Sequence, residues 1–156
     1  MDNIIEELLE ANWALLDVEF IQISSTHRCV RKLYILGANG YSDMDREFFP
    51  CKQYKDLNRK YQRSFQYCKQ HIHKLTYSPK KYSAECAQVL RKLNQFIVNN
   101  GIERVLYKGG TIERDLCEAL NIASFNIENL EGLKKANSHD PRTEVDCYYS
   151  QIIKFL

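Results

Sequence analysis

The 156-residue sequence has no apolar run approaching the roughly 20 residues of a membrane-spanning helix, and its opening MDNIIEELLE is acidic where a secretory signal would be basic. Both absences point to a soluble intracellular chain, cytoplasmic or nuclear, with no membrane partner. No C-x-x-C pair occurs. The six cysteines (Cys29, Cys51, Cys68, Cys86, Cys117 and Cys147) are scattered evenly, which fits reduced, mostly buried thiols rather than a disulfide framework. Internal repeats and low-complexity segments are also missing. Lys108-Gly109-Gly110 could cradle a phosphate at a helix N-terminus. It lacks the G-x-x-x-x-G-K-[ST] spacing, which excludes nucleoside triphosphate binding.

What is present suits one core. With 44% apolar and 27% charged residues, the chain can bury one proper core and is too short for two ordinary domains. Residues 1–11 read as a tail or short helix and residues 12–156 as one domain. Charge is segregated. Between Lys52 and Lys81 nine cations, among them Lys55, Arg59, Arg63 and Lys74, face the single acid Asp56; this local +8 leaves −6 on the rest of a chain whose net charge is +2. A basic face beside an acidic site suits a polyanion, although a solvated helix surface would carry the same charges.

Along the chain, Asn12 to Ile23 (NWALLDVEFIQI) reads as a strand whose period of two places Asp17 and Glu19 on one face. Cys29 to Leu36 reads as a second strand, Asn39-Gly40 as a hairpin turn, and Arg46 to Phe49 as a third strand closing a meander. Beyond Pro50 the period becomes helical: Tyr54, Leu57, Tyr61, Phe65, Cys68 and Ile72 form an aromatic stripe, assigned to packing rather than base stacking. A second helix is expected over Ser83 to Asn99, stopped at Asn100-Gly101. Glu103 to Tyr107 then reads as a buried strand, Thr111 to Leu120 as a helix, residues 122–127 as a strand, and Pro141 onward as the last helix. The order βββ-αα-β-α-β-α predicts an α/β fold with a mixed sheet, an antiparallel meander plus parallel strands, flanked by helices.

Two like charges side by side in a central strand cost several kcal/mol unless a cation or a shared proton compensates. Asp17 and Glu19 therefore read as hard oxygen ligands for Mg²⁺ or Mn²⁺, or else they mark an edge strand whose acids face water. The element order beginning with D-x-E resembles the ribonuclease-H-like 3′–5′ exonucleases of the DEDD type, in their histidine-containing (DEDDh) branch. Gln70 to Leu75 (QHIHKL) looks like the branch's I-H-G-L loop, with Lys74 for Gly. Val105 to Glu113 (VLYKGGTIE) matches the strand followed by H-N-x-x-F-D, with Lys108-Gly109 for H-N and Glu113 for Asp. His139 to Glu144 keeps the H-x₄-D spacing, with Glu144 for Asp.

The resemblance implies that Asp17, Glu19, Glu113 and Glu144 hold two Mg²⁺ or Mn²⁺ ions, with Asp115 and Asp146 as alternative acids. It further implies that His139 orients or deprotonates the attacking water. RNA or single-stranded DNA would be the substrate, gripped by Lys52, Lys55, Arg59, Arg63, His73, Lys74 and Lys108. Two other readings stay open. One is a module of the same fold that has lost turnover and binds nucleic acid or a protein partner; the other is a version stabilised by zinc on His71, His73 and Cys68 or Cys51. Oligomeric state has no signature in the sequence.

Overall fold

The computed structural model describes residues 6–7, 10–25, 28–40, 42–47, 54–71, 86–137 and 140–154. Its organising element is strand β1 (Trp13–Gln22), whose side chains alternate between the two faces of the sheet. Ala14, Leu16 and Val18 enter one hydrophobic cluster, while Trp13 and Leu15 enter a second on the opposite face. Asp17 and Glu19 share the odd-numbered face with Trp13 and Leu15, and the same face continues to Ile21 and Ile23, which belong to a third cluster.

Strand β1 pairs antiparallel with β2 (Arg28–Gly37), which pairs antiparallel with β3 (Ser42–Glu47). On its other edge β1 pairs in parallel with β4 (Arg104–Tyr107), and β4 with β5 (Ala123–Asn126). The sheet order is β3-β2-β1-β4-β5. This is the expected α/β mixed sheet, an antiparallel meander extended by parallel strands. Asn39-Gly40 makes the turn from β2 to β3, with Gly40 at φ +87° donating its N–H to the Gly37 carbonyl. Because that turn returns the chain at once, Ser42 pairs with Leu36, and β3 starts four residues before the expected Arg46.

Four long helices flank this sheet among the described residues. Helix α1 (Arg59–His71) begins later than the aromatic stripe suggested, because Asn58 caps it: the Lys60 N–H donates to Asn58 Oδ1 at 2.9 Å. Tyr54–Asp56 before it is a single 3₁₀ turn. Helices α2 (Cys86–Asn99) and α3 (Thr111–Ala119) cover the Leu16 face with Val89, Leu93, Phe96, Ile112 and Leu116. Helix α4 (Pro141–Ile153) covers the Trp13 face with Val145, Tyr148 and Ile152. Phe65 of α1 joins Leu57 over Ile21 and Ile23. No described helix is long and apolar enough to cross a membrane. Of the tail or short helix expected over residues 1–11, Glu6, Glu7, Glu10 and Ala11 are described, and the three glutamates are helical.

Candidate metal centre

The apolar stripe on the odd-numbered face of β1 is interrupted once. Trp13 and Leu15 lie under α4, Ile21 and Ile23 lie under α1, and the two carboxylates occupy the interval between those footprints. The backbone also changes partner here. β1 runs ten residues, but β4 pairs only with Trp13 to Leu15, so beyond Leu15 the edge of β1 loses its parallel neighbour. This is a topological switch point at the carboxyl end of β4, where open α/β sheets present a crevice. A β-bulge follows at once: Glu19 pairs with Lys32 but Phe20 with Val30, leaving Arg31 as the extra residue of β2, fully buried.

Two helix N-termini deliver the other acids. Glu113 lies in the first turn of α3, where Gly110 occupies the capping position and brings no side chain to cap. The Glu113 carboxylate accepts from its own backbone N–H and, at 3.2 Å, from the Val18 N–H that β4 does not reach. Glu113 is only 3% exposed. Glu144 lies in the first turn of α4, whose start is set by Pro141 and by Asp140, which accepts the Thr143 N–H at 3.2 Å. Asp140 also forms an ion pair with Lys32, the cross-strand partner of Glu19.

Carboxylate oxygens of Asp17, Glu19 and Glu144 all lie within 4.8 Å of one another. Glu113 stands beside this group rather than inside it, and its charge acts on Asp17 and Glu19. Burial, then Glu144 by charge and by hydrogen bond, then Glu113 and Glu19, hold the Asp17 carboxyl well above its usual range. Burial and the charges of Glu144, Glu113 and Asp140 push Glu19 up to about 8, against the pull of Lys32. Glu113 rises to about 7, mainly through burial, although its two backbone N–H partners oppose the shift. Asp140 goes the other way: burial disfavours its charge, but Lys32 and Thr143 outweigh that and hold it below the ordinary carboxylate value.

The donor set fits hard divalent cations. Asp17 Oδ2 and Glu113 Oε2 are buried without a hydrogen-bond partner, the situation that buried carboxylate oxygens avoid unless something cationic or protonic reaches them. Gly110 makes room for one of them, because a Cβ built there would lie 2.7 Å from Glu113 Oε2. Asp17, Glu19 and Glu113 open onto a cleft of about 860 Å³ whose other wall includes Lys60, Tyr61, Ser64 and Cys68 of α1. Lys108 is on its rim, with Nζ 5.7 Å from the Tyr148 ring centroid.

The alternative acids are placed elsewhere. Asp115 pairs with Arg28 and Arg114, and Asp146 lies 3.4 Å from the Tyr34 hydroxyl. The expectation that the basic segment borders the acids holds only in part. Lys60 does so, whereas Arg59 and Arg63 line a different groove, because each is one residue, about 100° around α1, from Lys60 and Ser64. Lys55 is exposed and absent from the cleft lining. Lys52, His73, Lys74 and the expected base His139 lie outside the described residues, as do Cys51 and the rest of the QHIHKL loop beyond His71. The only group of three or more acids, histidines or cysteines close enough together to hold a metal ion among the described residues is the Asp17, Glu19 and Glu144 set.

Sequence reasoning missed three residues. Asp140 was legible as an N-cap from its place before Pro141 with Thr143 following. Lys32 was not, because only the bulged register sets it opposite Glu19. Asn126 clamps the loop after β4, accepting the Gly109 N–H at 3.0 Å and donating to the Gly109 carbonyl at 3.3 Å. No protein-family model matches the chain, and no curated protein sequence matches it either.

Proposed function

We propose that this protein is a divalent-metal-dependent 3′–5′ exonuclease acting on RNA or single-stranded DNA. The observation that carries the reading is the gathering of Asp17, Glu19 and Glu144 within 4.8 Å on the buried face of a central strand, beside Glu113. Such an arrangement is unfavourable for folding alone and is compensated when cations are bound. Asp17, Glu19 and Glu144, with Glu113 alongside, would hold two Mg²⁺ or Mn²⁺ ions. When bound, such ions activate a water and stabilise the leaving oxygen of a phosphodiester. The DEDDh resemblance supplies the polarity, 3′ to 5′, and the role of His139 as the residue that orients or deprotonates the water.

The rest of the cleft suits a polyanion. Lys60 and Lys108 both line it with positive charge, and the Tyr61 ring beside Lys60 adds an aromatic surface for a terminal base. Lys32 and Asp140 hold the start of α4 against β2, so that Glu144 stays aimed at Asp17. A second reading, a module that binds nucleic acid without cleaving it, is favoured by one observation: Glu113 stands outside the three-carboxylate group.

Degradation of a 5′-labelled oligonucleotide decides between them. The wild-type chain should produce a ladder shortened from the 3′ end with Mn²⁺ and none with EDTA. Asp17→Ala should abolish the ladder while the protein stays folded by circular dichroism. An intact oligonucleotide that still binds would favour the module.

A further inference from the structure

Helix α1 carries two polar stripes, and only one faces the acids. Lys60, Ser64 and Cys68 recur at four-residue spacing on the cleft side. On the other flank Arg59, Arg63, Gln66, Tyr67 and Gln70 line, with Tyr54, a second groove of about 490 Å³. We propose that this outer groove is a second binding surface, for single-stranded nucleic acid, with Arg59 and Arg63 on phosphates and the Tyr67–His71 ring pair under a base.

Charge is the first support. The helix (RKYQRSFQYCKQH) contains four Lys or Arg residues and no acid. Arg59 and Arg63 stand at i,i+4, where like charges repel, and neither forms an ion pair with a described acid. An anionic ligand removes that repulsion. The aromatic placement is the second support. Phe65 is buried at 3% exposure, but Tyr67, off the packing stripe of the same helix, is 62% exposed. Its ring lies 4.6 Å from that of His71, a paired surface of the kind on which unpaired bases stack. The groove wall is also braced: Gln66 Nε2 donates to the Tyr54 hydroxyl at 3.2 Å, and the Tyr54 ring meets Phe65 edge-on at 5.9 Å.

An acidic peptide would answer the two arginines but leave the exposed ring pair unused, and a duplex would keep its bases stacked on each other. A single strand uses both features. Only the direction of the strand rests on the exonuclease reading: a 3′ end in the cleft would send the upstream nucleotides over α1, whose thickness is about 10–12 Å.

The test is binding, with Mn²⁺ present so that the acids do not repel phosphate, of fluorescein-labelled, nuclease-resistant phosphorothioate oligouridylates of twelve and four nucleotides to the 156-residue chain. Arg59→Gln/Arg63→Gln should weaken the twelve-mer about ten-fold and lower the slope of log affinity against log salt by roughly 1.4, the share of two phosphate contacts on a single strand. Tyr67→Ala, an exposed change that the fold tolerates, should weaken it by roughly ten-fold through lost stacking. Affinity for the four-mer, held in the cleft, should not change. Equal losses for both lengths, unchanged twelve-mer binding in both variants, or capture of polyglutamate in preference to RNA would each overturn the proposal. Failure of the metal-centre reading would show separately, as absence of Mn²⁺ binding with twelve-mer binding intact.

Discussion

A methyl group at position 110 would come within 2.7 Å of Glu113 Oε2, and the atom it meets is the free end of a flexible side chain. Gly110→Ala should therefore displace the carboxylate rather than the helix. Stability should fall by no more than about 1 kcal/mol, the scale of N-cap substitutions. Mn²⁺ affinity measured by calorimetry should fall far more, and unchanged affinity would remove Glu113 from the metal site. The raised carboxyls make a second prediction. Glu19 and Glu113 titrate near 8 and 7 in the folded protein against an ordinary 4.5, so the metal-free native state holds protons that the unfolded chain has released. Their contribution to stability is complete below pH ~4.5 and is lost as pH rises through 7 to 8. In EDTA the melting temperature should be higher at pH 6 than at pH 9. A rise with pH over that range would contradict the buried cluster. Asp140, shifted downward, matters only in acid.

Among the elements, the start of α4 carries most of the positional burden. Pro141 presets the first turn and Asp140 caps it, three and four residues before Glu144, and Lys32 ties the cap to β2. Asp140→Ala should cost about 1–2 kcal/mol in urea unfolding through the lost cap. It should also lower Mn²⁺ affinity, because the turn that holds Glu144 loses its attachment to the sheet; a stability loss with unchanged affinity would make the cap purely structural. The short β4 strand plays the matching role on the other side. By pairing with only three residues of β1, it leaves the Val18 N–H for Glu113 to take. Replacing Val18 cannot test this, since the donor is backbone. Glu113→Gln can: the amide oxygen still accepts that bond, so folding should persist while metal binding weakens.

For the molecule as a whole, a site that opposes folding when empty of cations should stabilise it when filled. A ligand at 100 times its dissociation constant adds about 2.7 kcal/mol to a native state that alone binds it. In a chain of this size that corresponds to a rise of roughly 5–10 °C in melting temperature. Differential scanning calorimetry with Mn²⁺ against EDTA measures it, and Asp17→Ala should abolish the increment while raising the melting temperature of the metal-free protein. An increment that survives Asp17→Ala would place the metal elsewhere.

The element order was legible in the sequence because each segment's own period sets it: alternation along Trp13 to Gln22, helical spacing through Val89, Leu93 and Phe96, and turn chemistry at Asn39-Gly40 are local properties. The pairing of Asp17 with Glu19 on one face follows from the same period of two. Choosing Glu113 and Glu144 over Asp115 and Asp146 needed the resemblance as well, since two acids in one helical turn are equivalent until the helix is docked. Tertiary structure decided the rest. The loss of β4 pairing beyond Leu15, the bulge that sets Lys32 opposite Glu19, and the rotation of α1 that turns Lys60 toward the acids and Arg59 and Arg63 away all depend on long-range register and packing. No local pattern encodes these, because each is fixed by partners up to a hundred residues distant in the chain.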